Sequence, residues 1–215
     1  MASVWSQVGS NIVGEAYDDH LGGWTSISLS ADGSVIAIGA FLNDGNGWNS
    51  GHVRIYQNIG ESWTQVGSDI DGSSANSFLG QSVCLSADGS VIAIGATDVS
   101  HTGSENVQIY QNINNTWTQI GGNIEGGSGN SYFGHTLSLS DNGSIVAIFS
   151  YTGGNAYCHI YQNINNTWTK IGSDIDGGSR SHYYGTSISL SSDGSIVALG
   201  VDGSDENGTN SGQVQ

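Results

Sequence analysis

The 215-residue chain has no proline, only two cysteines and only three basic residues, Arg54, Lys170 and Arg180. Against these stand 19 acidic residues, so that the formal net charge is −16. Proteins that bind nucleic acid or anionic membranes neutralise phosphate charge with clusters of Lys and Arg. The composition therefore excludes nucleic acid as a partner class. The excess of acidic residues fits the binding of cations, a surrounding of high ionic strength, or simple solubility of the protein.

Long apolar runs are also missing. No stretch approaches the ~20 residues that a transmembrane helix needs, and residues 1–3 lead directly into the first repeat, so that no signal peptide is visible. Cys84 and Cys158 fall in different strands of different repeats, which predicts two buried free thiols rather than a disulfide. The 34 glycines indicate many turns, and regularly spaced Val, Ile, Trp and Tyr argue against disorder.

What the chain does contain is one pattern repeated four times. Each copy opens with the segment Trp-Ser/Thr-Gln/Lys-Val/Ile-Gly, which begins at Trp5, Trp63, Trp117 and Trp168. Four-stranded units with a period of roughly 40–50 residues, or a little more, are typical of β-propeller blades. We therefore predict a single all-β propeller domain over residues 1–215, with repeats at about 4–61, 62–115, 116–166 and 167–215.

The second repeat shows how one blade is built. Residues 82–86 alternate apolar and small polar side chains, and residues 91–96 are apolar throughout, as in a strand buried on both faces. The Asp88-Gly89 pair between them predicts a hairpin of the two-residue type. Residues 107–110 alternate again, and the strand that begins at Trp117 is the outer strand. The Trp side chains at 63, 117 and 168 are predicted to be core or inter-blade residues.

The sequence is compatible with two arrangements of the ring. The chain begins with a spare outer strand, Trp5–Ile12, and the blade of Ser187–Gln215 lacks one. Pairing the two would close a ring of four four-stranded blades and remove two exposed sheet edges. The alternative is a segment of a larger propeller, or a half-ring that oligomerises.

Two short glycine motifs recur along the chain: Phe78-Leu79-Gly80 with Tyr132-Phe133-Gly134, and Ile-Gly-Ala at 38–40 and 94–96. Their resemblance is to the FG-GAP repeats that form the propeller of integrin α subunits. It implies an extracellular or cell-surface location, and adhesion or ligand binding rather than catalysis. The calcium loop of that family, Asp-x-Asp/Asn-x-Asp-Gly, is absent between the first and second strands, where Asp-Gly or Asn-Gly is too short to wrap the ion.

Strand order places two kinds of connection on opposite faces of the propeller. The hairpins are short and nearly identical, whereas the loops before each first strand and between the second and third strands are longer and vary. Such loops on a rigid scaffold usually carry binding. The candidate ligand-binding residues on this long-loop face are Trp24, Trp48, Tyr132, His135 and Tyr183. The sequence allows two roles for the two tryptophans: a stacking surface for a sugar, or a hydrophobic plug over the centre of the propeller.

Acidic residues of the same loops are candidate metal ligands. Asp44 lies in Asn-Asp-Gly-Asn-Gly, and Asp202 and Asp205 lie in Asp-Gly-Ser-Asp-Glu-Asn-Gly. Alternating oxygen ligands of this kind suit hard cations, which makes calcium the candidate cofactor. The plain alternative is a turn that uses Asp, Asn and Gly for their backbone freedom.

Four Asn-x-Ser/Thr triplets, at Asn114, Asn142, Asn165 and Asn207, match the N-glycosylation pattern. Three of them fall on the short-turn face and leave the long-loop face open, which fits a glycoprotein.

The sequence holds no His-Glu-x-x-His, Cys-x-x-Cys or Gly-x-Ser-x-Gly motif, and its six histidines are scattered. We therefore expect a non-catalytic interaction or structural module that binds other proteins or copies of itself, without membrane insertion. A carbohydrate-binding, lectin-like propeller is the alternative. A propeller enzyme with a site in the central channel is less favoured.

Overall fold

The structure, a computed structural model, describes residues 5–97, 105–127, 131–179, 186–205 and 207–215. Within these ranges the chain forms strands and turns and no helix, so that no described segment is a helix able to span a bilayer. Four antiparallel sheets follow one another along the chain and pack face to face, which is the architecture of a four-bladed β-propeller.

Each blade is a meander of consecutive strands. Blade one consists of β1 (Ile27–Leu29), β2 (Val35–Ala40), β3 (His52–Ile59), β4 (Ser62–Gln65) and β5 (Ile70–Asp71). Blade two consists of β6 (Leu79–Leu85), β7 (Val91–Ala96), β8 (Asn106–Ile113), β9 (Thr116–Gln119) and β10 (Ile124–Glu125). Blade three consists of β11 (Leu137–Leu139), β12 (Ile145–Thr152), β13 (Asn155–Ile164), β14 (Thr167–Lys170) and β15 (Ile175–Ser179). Blade four consists of β16 (Thr186–Leu190), β17 (Val197–Val201) and β18 (Gln213–Val214).

The outer strand of a blade is divided into two pieces. In blade one, β4 and β5 both pair with β3, β4 near one end of it and β5 near the other. Gly67, with φ +75°, lies in the segment between the two pieces. Blades two and three repeat this arrangement. The prediction of four strands per blade is therefore confirmed for three blades, with the outer strand interrupted.

The core consists of three apolar clusters, one between each pair of consecutive blades. The middle strand β7 is buried at every position, because it has a neighbouring blade on each face. Burial of this kind, at roughly 25 cal/mol per Å² of apolar surface, is the main force that holds one blade to the next.

The hairpin between the first two strands of a blade, which we call the inner hairpin, is longer than the two-residue type predicted from Asp-Gly. In blade one, Ser30 N donates to Val35 O at 2.8 Å, so that four residues form the turn between them. Asp32 accepts hydrogen bonds from Ser34 N at 2.9 Å and Ser30 Oγ at 2.8 Å, and Gly33 alone has a positive φ, +72°. Type I′ turns need positive φ at both central residues, and Asp32 does not supply it.

The N-terminal segment forms no strand in the structure and lies beside blade one. Trp63 Nε1 donates a 3.1 Å hydrogen bond to Val8 O, and Gln7 Nε2 donates to Asn11 Oδ1 at 2.9 Å. The segment therefore occupies the position of an outer strand from a preceding blade. The predicted pairing of Trp5–Ile12 with the last blade is wrong for the single chain. Among the described strands, β18 pairs with β17 alone.

Candidate functional site on the long-loop face

Five ring side chains from three loops meet at the inner end of the long-loop face. We call this group the aromatic cluster; its members are His20, Trp24, Phe41, Tyr132 and His135. The ring centroid of Trp24 lies 5.3 Å from that of Phe41 and 5.7 Å from that of His135. His20 packs edge-on against Phe41 at 5.8 Å, and Tyr132 against His135 at 6.0 Å. Since Trp24 belongs to blade one and His135 to blade three, the cluster joins two blades that are not consecutive.

The cluster has a buried base and an exposed top. Phe41 and Tyr132 are buried, whereas Trp24 is 55% exposed. The backbone φ is +55° at Trp24, +53° at His20 and +58° at Tyr132. A left-handed backbone costs a non-glycine residue about 1–3 kcal/mol, and such strain is concentrated at binding and active sites. The loops thus hold an indole face toward solvent at an energetic cost that the fold tolerates.

Polar groups of consecutive blades lie next to the cluster. Thr25 Oγ1 donates a 3.2 Å hydrogen bond to His135 O. Gln81, at the equivalent position of blade two, is fully buried, and its side-chain oxygen and nitrogen have no hydrogen-bond partner among the described residues. A buried amide of this kind costs about 1–3 kcal/mol while it is unpaired. The arrangement therefore offers a flat aromatic surface and, in the interior beside it, an amide donor and acceptor.

The structure brings three of the five predicted ligand residues together: Trp24, Tyr132 and His135. Trp48 lies in the loop between β2 and β3, is 69% exposed and is not a member of the cluster. Tyr183 lies outside the described residues. Sequence reasoning missed Phe41 and His20; Phe41 follows directly after β2, where an apolar residue at the start of a loop was the available signal.

The predicted metal ligands are in two loops of the same conformation, on blades one and four. Asp44 Oδ1 accepts a 2.7 Å hydrogen bond from Asn49 N, and Asp205 Oδ1 accepts one of 2.7 Å from Asn210 N. Ser50 Oγ and Ser211 Oγ close the two loops in the same way. These two loops match each other, whereas blade three joins β12 to β13 through Gly153 and Gly154 alone, so that the long loops do vary among the described blades. One oxygen of each aspartate is already committed to the backbone, and Asp202 is exposed.

A charged group that the sequence analysis did not single out lies at the edge of blade one. Arg54 donates to Asp69 Oδ2 from Nε at 3.0 Å and from Nη2 at 2.9 Å, and it also pairs with Glu15. Burial alone would lower the pKa of the guanidinium, but these two carboxylates raise it. Oxygen and nitrogen atoms of Glu15, His52 and Asp69 lie within 4.8 Å of one another. The guanidinium pairs with both carboxylates, which leaves one net negative charge among the three, so this group is an ion-pair network.

The same position in blade three holds a second network. His159 Nδ1 lies 2.5 Å from Asp174 Oδ1, and Lys170 pairs with the same carboxylate. Burial lowers the pKa of His159 below its ordinary 6.5. Both described cations, Arg54 and Lys170, are therefore engaged with acidic side chains. The signal in the sequence was the shared position in the repeat, since Arg54 and His159 are both two residues before the Tyr of the third strand.

The four candidate glycosylation residues, Asn114, Asn142, Asn165 and Asn207, are all exposed. Asn142 also has a structural role, since its Oδ1 accepts hydrogen bonds from Ser140 Oγ at 2.9 Å and Ser144 N at 3.0 Å. The two thiols are free, with Cys158 buried and Cys84 partly buried.

No protein-family model matches the chain, and no curated protein matches it in sequence. Solved structures do match in fold. Hydrazine synthase of Kuenenia stuttgartiensis is similar, with a TM-score of 0.55 and 15% identity, over 82% of this chain and 49% of that chain. The β-propeller domain of Cps50 (Swd1) from Myceliophteria thermophila has a TM-score of 0.52 and 12% identity, over 80% of this chain and 48% of that chain.

A candidate 6-phosphogluconolactonase from Bacteroides uniformis ATCC 8492 has a TM-score of 0.55 and 15% identity, over 83% of this chain and 47% of that one. The chain thus spans about half the length of these propellers. At such identities the likeness establishes the β-propeller fold alone. The FG-GAP resemblance stays a proposal, since none of these structures is named as a member of that family.

Proposed function

We propose that this protein is a non-catalytic interaction module, extracellular or at the cell surface, that binds a partner through its long-loop face. The observation that carries the proposal is Trp24. Its half-exposed indole packs on the buried Phe41 and against His135, at a left-handed backbone position. An aromatic side chain held rigidly on a scaffold loses little conformational entropy on binding, and aromatic anchors dominate many interfaces.

The negative charge of the long-loop face restricts the class of partner. Asp18, Asp44, Asp202 and Asp205 are exposed in loops of this face. The two described cations are paired with carboxylates. Electrostatic complementarity then favours a protein surface that presents Lys or Arg around an apolar patch. A glycan stacked on Trp24 is the alternative partner, and a face lined with carboxylates disfavours anionic glycans.

The pairing of these two cations also argues against hydrolysis of a phosphorylated substrate. A lactonase that acts on a phosphorylated sugar has to bind a phosphate group, for which proteins use free Arg or Lys. Arg54 and Lys170 are engaged, and Arg180 lies outside the described residues. Location at the cell surface is supported by the FG-GAP resemblance and by the exposure of the four asparagines at 114, 142, 165 and 207.

The test uses arrays of Lys/Arg-rich peptides and of neutral and acidic glycans, probed with the intact chain. We expect binding to basic peptides that falls with rising salt, since exposed charges are screened within about 8 Å at physiological ionic strength. Trp24→Ala should abolish the signal. Trp48→Ala should retain it, because Trp48 is even more exposed, 69% against 55%, and lies outside the aromatic cluster. Urea unfolding of both variants checks that the fold is intact.

Two results would contradict the proposal. Binding that survives Trp24→Ala would remove the aromatic cluster from the site, and selective binding to glycans would favour the lectin alternative. Hydrolysis of 6-phosphogluconolactone above the spontaneous rate would overturn the non-catalytic assignment.

A further inference from the structure

Consecutive blades are joined by one set of contacts that repeats at every junction. The inner hairpins form a line of backbone hydrogen bonds: Ala31 N donates to Ala87 O at 2.8 Å, Ala87 N to Asp141 O at 2.9 Å, and Asp141 N to Ser192 O at 2.9 Å. Each hairpin thus donates to the hairpin of the following blade. The line begins at blade one and ends at blade four, where Ser192 is exposed.

Two further contacts recur beside this line. The hydroxyl of Ser28 accepts from Leu85 N at 2.9 Å, and that of Ser138 accepts from Leu190 N at 2.9 Å. The hairpin glycine of each following blade lies against a branched side chain of the preceding one. A Cβ on Gly89, Gly143 or Gly194 would meet Val35, Val91 or Ile145 at 2.7 Å.

The outward face of blade one presents one half of this junction. Leu29 is equivalent to Leu85 and Leu139; it is 55% exposed, whereas those two are 7% and 8% exposed. Ile27 is equally open. The hairpin glycine of this blade, Gly33, has only the Leu29 side chain of its own hairpin within 4 Å, at 3.9 Å.

The outward face of blade four presents the other half. Ile196 is equivalent to Val35, Val91 and Ile145, and it is 70% exposed. Ser189 is equivalent to Ser28 and Ser138, and it is exposed. Val214 of the edge strand β18 is 78% exposed. Each of the three contacts described above has one half on the blade-four face and the other half on the blade-one face.

We propose that the blade-four face of one copy docks on the blade-one face of a second copy, and that the second pair of faces docks in the same way. The two chains then form a closed ring. Each new junction would place Gly33 against Ile196, Leu29 N on Ser189 Oγ, and Ser192 N on the hairpin of the other copy. A head-to-tail contact forms a ring when its rotation closes, and otherwise an open filament.

The share of a propeller domain that the chain covers favours two copies. The chain covers 48% of the length of the Cps50 (Swd1) β-propeller domain. Two such arcs complete a ring within the usual range of about 4–8 blades. The inference is independent of the proposed function, because it uses the outward blade faces and not the long-loop face.

The N-terminal segment fixes the register of the docked edge. In blade one, β5 pairs with β3 through Val53 with Ile70 and His52 with Asp71. The equivalents of Ile70 and Asp71 in the N-terminal segment are Ile12 and Val13. The ring therefore pairs Ile12 of one copy with Val214 of the other, and Val13 with Gln213. Val13 and Val214 are 71% and 78% exposed in the single chain.

The first experiment is the solution mass of the intact chain by light scattering and sedimentation over a range of concentrations. We expect one discrete species of twice the 22.2 kDa chain mass. Ile196→Asp and, separately, Leu29→Asp should raise the dimer dissociation constant by at least about 100-fold, because each buries an unpaired charge. Ile113→Asp is the matched control: Ile113 is 49% exposed on blade two, both faces of which are covered. This variant should dimerise as the parent does.

A second experiment separates the ring from closure within one chain. Ile12→Cys combined with Val214→Cys, oxidised mildly, should yield a covalent dimer on denaturing gels. An intramolecular disulfide at monomer mass would overturn the proposal. So would a 22.2 kDa particle at all concentrations, a ladder of growing multimers, or a dimer that Ile196→Asp leaves intact.

Discussion

Trp117 Nε1 donates a 2.9 Å hydrogen bond to the carbonyl oxygen of Val66, which joins the outer strand of blade two to that of blade one. Trp168 makes the same contact with Ile120 at 2.9 Å. Trp63, Trp117 and Trp168 thus each contact the preceding repeat, as the sequence predicted, whereas Trp5 is 96% exposed.

Trp117→Ala should lower the free energy of unfolding by about 3–5 kcal/mol, as is usual for large aromatic truncations in packed sites. Trp117→Phe keeps a ring but removes the N–H donor, and it should cost about 0.5–1.5 kcal/mol plus lost packing. Urea unfolding followed by circular dichroism measures both. Trp48→Ala, at an exposed site, should stay within about 0.5 kcal/mol of the parent. Equal losses for Trp117→Ala and Trp48→Ala would contradict the inter-blade role.

Gly143→Ala should destabilise the protein more than Gly172→Ala does. The two glycines have nearly the same backbone angle, φ +69° and +71°. A Cβ at Gly143 would lie 2.7 Å from the Cβ of Val91 in the preceding blade, whereas nothing lies within 4 Å of one at Gly172. Gly172→Ala should therefore cost about 1–2 kcal/mol for the left-handed backbone alone. Gly143→Ala should add about 1–3 kcal/mol of overpacking. Thermal unfolding of the pair isolates the junction contact, and similar melting temperatures would refute it.

Stability should fall as the pH is lowered from 7 to 5. Burial lowers the pKa of both His159 and His52 below the ordinary 6.5. The unfolded chain therefore binds protons near its ordinary pKa before the folded protein does, and the unfolding free energy decreases on acidification. His159→Gln, which places in blade three the residue that blade two has at Gln108, should flatten this dependence. His20→Gln, at an exposed site, is the control. A pH profile that His159→Gln leaves unchanged would show that His159 does not contribute to it.

Calcium should not raise the melting temperature at millimolar concentration. Asp44 and Asp205 each use one carboxylate oxygen to hold their own loop, and calcium requires about 6–8 oxygen ligands. Differential scanning calorimetry with calcium and with chelator measures the shift. A calcium-dependent rise that Asp44→Asn or Asp202→Asn removes would instead establish the metal site proposed from the sequence.

Much of the architecture could be predicted because it is local. The unbroken apolar run at 91–96 predicted burial on two faces, and β7 is buried throughout. The alternation in residues 82–86 located β6 but not its burial, since β6 is buried at all but one of its positions. The Asp-Gly pairs located the inner hairpins but not their length. The carboxylate of Asp32 binds Ser30 and Ser34 at once, and this interaction stabilises a four-residue turn.

The candidate site was predicted less completely. Trp24, Tyr132 and His135 were chosen separately, as unusual residues in long loops. Their contact, and the presence of Phe41 beneath Trp24, depends on how blades one and three approach each other past blade two. The ion pair of Arg54 with Asp69 could have been inferred from the repeat, whereas its second partner, Glu15, comes from a segment outside the sheets.

The sequence by itself determined the number of repeats and the order of strands. These follow from periods of two residues and from turn chemistry, which neighbouring residues impose on one another. Only the tertiary structure decided where residues 5–12 lie, which side chains form the aromatic cluster, and that complementary faces stay open on blades one and four. Each of these depends on the angle between packed sheets, which is the sum of many weak contacts and leaves no local pattern in the chain.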